Sequence, residues 1–121
     1  LYAKHVSNEE PKKVLHDIFI RYEFDKMTKK FVEELFNSTI KFSEELDSHI
    51  ESNLENWTVD RLNVIDRIIM QMSLCEMIHL KSYDISHKVT ISSAIENAKK
   101  FSSEDSTSFV NGVLDSIYKE L

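Results

Sequence analysis

The chain has 121 residues with 15 Lys+Arg against 21 Asp+Glu, a formal net charge of −6, and 41% hydrophobic and 30% charged residues. That suits one globular unit with a real core and argues against a stand-alone nucleic-acid binder, which carries a basic face. One Gly and one Pro argue against turn-rich β architectures, one Cys excludes an intramolecular disulfide and a Cys-based zinc site, and no apolar run reaches the ~18 residues of a membrane span.

In chain order, residues 1–6 read as the tail of a helix. The chain opens on Leu1 rather than Met, so residues ahead of it are expected. Ser7-Asn8-Glu9-Glu10-Pro11 is a break followed by a new helix start, with polar caps, two acids and a Pro near the first turn. Val14, Leu15, Ile18, Phe19 and Tyr22 then give a helix over 12–24. Phe31, Leu35, Phe36, Ile40, Phe42 and Leu46 continue at helical spacing, followed by Ile50 and Leu54. A bend is expected near 38–43, where Ser38, Thr39 and Ser43 loosen the pattern. The Lys29-Lys30 and Glu33-Glu34 pairs read as a solvated face.

The stretch 58–80 organises the rest. Leu62, Ile65, Ile69, Met72, Glu76 and His79 follow at steps of three or four, and Ile68, Leu74, Cys75 and Ile78 fill other sides. Apolar residues over more than half the circumference predict a central helix covered by others, roughly 30 Å long. Thr58 is the expected N-cap, and Asp60 puts an acid in the first turn. After a loop over 81–87, Val89, Ile91, Ala94, Ile95, Ala98 and Phe101 mark a short amphipathic helix. Ser102-Ser103-Glu104-Asp105 is a strong start signal for a last helix carrying Phe109, Val110, Val113, Leu114 and Ile117. Gly112 inside it is expected to permit close approach of another helix. The fold class is therefore all-α, in a single domain over 1–121.

Catalytic and metal chemistry find little support. Glu76-x-x-His79 has the spacing of carboxylate-bridged metal sites in helical bundles, but such a site needs a second copy. A buried Glu bonded to backbone or to a Tyr is the simpler expectation. Cys75 reads as a core thiol. There is no Gly-x-Ser-x-Gly elbow, and one Gly cannot build a phosphate-cradling loop. No enzyme activity, cofactor or metal is expected. With no signal peptide visible, a reducing cytoplasm is the simplest setting.

The C-terminal third is specific. Lys88-Val89-Thr90-Ile91-Ser92-Ser93-Ala94-Ile95-Glu96-Asn97-Ala98-Lys99-Lys100-Phe101, then Ser103-Glu104-Asp105-Ser106 and Phe109-Val110-Asn111-Gly112-Val113-Leu114-Asp115, resembles the closing signature of the NusB family of bacterial transcription antitermination factors. Trp57, Arg61, Leu62, Asp66 and Leu74-Cys75-Glu76-Met77 fit the family's core helix, and Leu1-Tyr2 the end of its first helix. Four departures mark a divergent member. The family's Arg-rich segment, which contributes to RNA binding, would lie ahead of Leu1. Ser86-His87 stands where the family has Pro, Ser92-Ser93 where it has Asn-Glu, and Ser102 where it has Gly.

The resemblance implies two small three-helix bundles sharing a long central helix, and a role without catalysis. It implies pairing with a small-subunit ribosomal protein (NusE). It also implies binding of single-stranded boxA RNA in nascent ribosomal transcripts, which engages the RNA polymerase elongation complex indirectly. Carried onto this chain, it suggests Lys88 for phosphate, Phe109 for stacking or apolar contact, and Asp105 and Asn111 near the RNA; a core Phe109, an Asp105 that serves the helix N-terminus and an Asn111 paired with a neighbouring helix stay open beside it. Tyr2, Asp66 and Glu76 fall on its partner-binding side. Two other readings stay open: the related helical domain of some ribosomal RNA cytosine methyltransferases, and a helical interaction module with no RNA role.

Overall fold

The computed structural model describes residues 29–55 and 58–121. Tyr2, Trp57 and the predicted helix over 12–24 lie outside them. The described residues form five helices: α1 (Lys29–Lys41), α2 (Ser43–Glu51), α3 (Val64–His79), α4 (His87–Phe101) and α5 (Glu104–Glu120). Single 3-10 turns at Val59–Arg61 and Lys81–Tyr83 flank α3.

α3 is the axis of the packing. Every residue from Ile68 to Cys75 is buried, so no side of this stretch faces water. It packs against α1 and α2 and against α4 and α5, and α4 and α5 form an antiparallel hairpin. Two groups of three helices thus share α3, as the resemblance implies. Leu35, Leu46, Ile50, Ile69, Met70, Leu74, Leu114 and Ile117 are fully buried. Each contributes about 1.5–3 kcal/mol through apolar burial.

α3 is shorter than the sequence suggests. Asn63, not Thr58, is its cap: Asn63 Oδ1 accepts from the backbone N–H of Ile65 at 2.8 Å and of Asp66 at 3.4 Å. Thr58 makes no side-chain cap bond and leads into the 3-10 turn, after which Leu62 is extended. The 16 helical residues span about 24 Å. The expected bend falls at Phe42, between α1 and α2, where ψ is 18°. Thr39 Oγ1 donates to the Leu35 carbonyl at 2.7 Å one turn earlier, a back-bond that bends helices.

The α4–α5 turn follows the start signal read from sequence. Ser103 caps α5, its Oγ accepting from Ser106 N–H at 3.2 Å, and Glu104 and Asp105 occupy the first turn. At the hairpin's other end, the His87 and Tyr118 rings stack, with centroids 3.7 Å apart and planes 11° from parallel.

Gly112 departs from expectation. It is exposed, and a Cβ added there would meet nothing within 4 Å, so no described helix approaches it. Among the described residues it has neither a packing reason nor a positive φ, so in the helix the glycine costs stability. Gly112→Ala is expected to stabilise the fold by ~0.5–1 kcal/mol, read as a raised urea midpoint at constant slope.

Candidate nucleic-acid interface

Local capping fixes where the α4 candidates stand. Ser86 Oγ accepts from Val89 N–H at 3.3 Å, which starts α4 and sets Lys88 in its first turn. Lys88 is exposed and forms no side-chain hydrogen bond or ion pair among the described residues. Lys99 and Lys100, on the exposed side of the same helix, are likewise without an acidic partner among them. In a chain of net charge −6, these are cations left available to an outside anion.

On α5, Asp105, Phe109 and Asn111 are all exposed. Phe109 is not core: 38% of it is accessible, so its ring is open to an outside contact. Asn111 bonds to no neighbouring helix among the described residues. Asp105 is a first-turn acid that complements the helix dipole.

The candidates do not form one cluster. Asp105 and Phe109, four residues apart, share a flank of α5, whereas Asn111 is turned about 200° from Phe109. Lys88 lies at the far end of the hairpin from Asp105, separated by roughly 20 Å of helix. The geometry offers an extended surface along the hairpin rather than a pocket. That shape suits a strand of nucleic acid more than a small molecule.

Asp66 and Glu76 face inward. Asp66 is 7% exposed. Its Oδ2 accepts from Ser106 Oγ at 2.8 Å, tying the start of α3 to the start of α5, and its Oδ1 has no partner among the described residues. Ser102 and Ser103 hydroxyls lie 2.9 and 3.2 Å from Ser106 Oγ and extend the network. Glu76 accepts from Thr90 Oγ1 at 3.1 Å, linking α3 to α4. The Glu76 bond is thus to a threonine, not to backbone or Tyr. Burial pushes the Glu76 carboxyl up to about 7, and the Thr90 bond only partly opposes it. Neither carboxylate is presented as an open acidic contact for a partner. Both position the helices that carry the exposed candidates.

Glu76 and His79 also diverge. His79 Nε2 lies 2.9 Å from Glu45 Oε2 on α2, and its ring stacks on Phe42 with centroids 3.8 Å apart. The Glu-x-x-His spacing therefore ties α3 to two different helices. Cys75 is buried, and burial pushes its thiol up to about 11, the behaviour of a core residue. No helix among the described residues is long and apolar enough to cross a membrane.

Sequence reasoning missed the His87–Tyr118 stack. In the sequence Tyr118 is one aromatic at the end of the last helix, and only folding of the hairpin brings it onto His87, the residue before Lys88.

Comparisons with known proteins point to one family. The NusB family model matches residues 1–119. A transcription antitermination protein NusB from Chloroherpeton thalassium is 37% identical over 122 residues, covering all of this chain and 57% of that protein. The Bacillus mycoides protein of the same name is 37% identical over 118 residues, covering 97% and 87%. The chain thus spans little more than half the length of the first relative and most of the second. Among solved structures, T. maritima NusB superposes with a TM-score of 0.72 at 28% identity, covering 95% of this chain and 92% of that one. A chain from the crystal structure of antitermination factors NusB and NusE in complex with dsRNA gives 0.72 at 27% identity, covering 92% of each.

Proposed function

The chain belongs to the NusB family, and on that premise we propose that it is a transcription antitermination factor. In this reading it pairs with a small-subunit ribosomal protein acting as NusE. The pair binds the single-stranded boxA element of nascent ribosomal RNA and reaches the RNA polymerase elongation complex through that assembly. It works by binding, without catalysis or a cofactor, in the cytoplasm, as one NusB-like unit over 1–121.

The observation that carries the reading is the exposed, internally unpartnered state of Lys88, Phe109 and Asn111 on the α4–α5 hairpin, within the segment the family model matches. Cations hold phosphates, and an exposed ring stacks an unpaired base. The net charge of −6 suits a basic ribosomal-protein partner better than RNA binding alone.

Within the heterodimer, Lys88→Ala is expected to weaken RNA binding and to flatten the salt dependence by about one phosphate contact. Phe109→Ala is expected to weaken it by about tenfold with the salt slope unchanged, since stacking involves no released counterion. A titration of labelled boxA RNA at two salt concentrations separates the two. If neither variant changes affinity, the hairpin is not the RNA surface.

A further inference from the structure

The His87–Tyr118 stack has no role in the function proposed above. Its rings are nearly parallel at 3.7 Å, and Tyr118 remains 38% exposed with one ring face covered by His87. Lys88 follows His87 directly and is unpaired among the described residues. Val89, also in the first turn of α4, is 53% exposed. An ordered aromatic face with a free cation in the same helix turn as its stacking partner can serve a sequence-tolerant RNA contact: the base stacks, and the cation takes the phosphate. Because His87 already holds the Tyr118 ring, a base that stacks there does not bear the cost of ordering it.

Phe109, Gly112, Asp115 and Tyr118 follow each other at steps of three, a row that turns about 180° around the outer side of α5, so Phe109 and Tyr118 stand on opposite flanks of the helix. Gly112 leaves an open notch in that row. Asp115, which would repel phosphate, is engaged by Lys119 at 3.0 Å. To reach Tyr118, a strand that stacks on Phe109 crosses the outer side of α5 over Gly112 and the exposed Asp115–Lys119 pair.

We propose that the His87–Tyr118 pair is a second base-stacking position for unpaired RNA, with Lys88 holding the adjacent phosphate. This rests on the RNA-binding reading and adds a contact, about nine residues along α5, to the one at Phe109.

The test uses the full chain mixed with its NusE-type partner. Labelled boxA RNA, with a fluorescent base analogue at successive positions, is titrated against wild type, Tyr118→Ala, Tyr118→Leu and Tyr118→Phe. Expected results are about tenfold weaker binding for Ala and Leu, near wild-type binding for Phe, an unchanged salt slope, and one analogue position whose quenching is lost in Ala and Leu alone. Leu keeps the apolar bulk, so a merely structural role predicts that it behaves like Phe. Wild-type affinity and quenching in both Ala and Leu would overturn the stacking position while leaving the RNA reading intact. A wild-type mixture that leaves the RNA free would overturn both.

Discussion

Glu76→Gln is expected to stabilise the protein by about 3 kcal/mol at about pH 8 and to change it little below about pH 4. The carboxyl rises from its ordinary 4.5 to about 7, with burial the first cause. Each tenfold change in proton affinity corresponds to ~1.4 kcal/mol between the protonated and charged forms. A carboxyl raised on folding means that the native state holds a proton the unfolded chain has released. Its favourable contribution is fully present below about pH 4.5 and is lost as pH rises through about 7. Above that, the wild type keeps a charged carboxylate in a site where the only hydrogen-bond donor found to it among the described residues is Thr90. Glutamine keeps an acceptor for Thr90 and removes the charge. Urea midpoints of both proteins across this range check the expectation. Parallel pH profiles would mean that Glu76 is solvated at the α3–α4 contact.

Asp47→Ala is expected to cost about 2–3 kcal/mol, the second large effect. Asp47 on α2 receives Arg67 Nε at 3.2 Å and Nη2 at 2.7 Å, and Gln71 Nε2 at 2.7 Å. The Asp47 and Arg67 side chains are 17% and 20% exposed, so the pair lies between the nearly neutral surface bridge and the buried bridge whose loss costs several kcal/mol. Burial pulls the Arg67 pKa down, but the bond and charge of Asp47, with Asp60 and Glu51, more than offset this and leave it raised. Without Asp47 the guanidinium keeps Asp60 at 3.7 Å, and Gln71 loses its acceptor. Arg67→Lys is expected to lose most of the same stability, because an ammonium cannot make the two-point contact. A loss below about 0.5 kcal/mol in chemical denaturation would show that water replaces the pair.

What the sequence makes legible follows from range. α3 is readable because its apolar residues surround the helix, a pattern only a central helix produces. The α5 start is readable because Ser103 and the two following acids are a local signal. The start of α3 is not. Thr58 and Asn63 are both good caps, and the choice falls to contacts across the chain: Glu51 Oε2 accepts Val59 N–H at 2.9 Å and fixes the 3-10 turn ahead of Asn63. Gly112 misleads for a related reason, since a glycine inside a helix marks either a close neighbour or an open surface, and periodicity does not separate the two. Among the candidate site residues, Lys88 and Asn111 are exposed. The burial of Glu76 is legible from its place on α3, but its partner Thr90, 14 residues away, is not, and neither is the inward turn of Asp66 onto Ser106, 40 residues away. The His87–Tyr118 contact exists only because the hairpin closes.

In the proposed function, this chain and a NusE-type partner together make an RNA-binding unit that the acidic chain does not make alone. The direct test is the affinity of labelled boxA RNA for this chain, for the partner and for their mixture, each at two salt concentrations. The mixture is expected to bind far more tightly than either component and to weaken as salt rises. If the two proteins form no complex, and the RNA stays free in the mixture at low salt, the antitermination reading is wrong and only the fold remains.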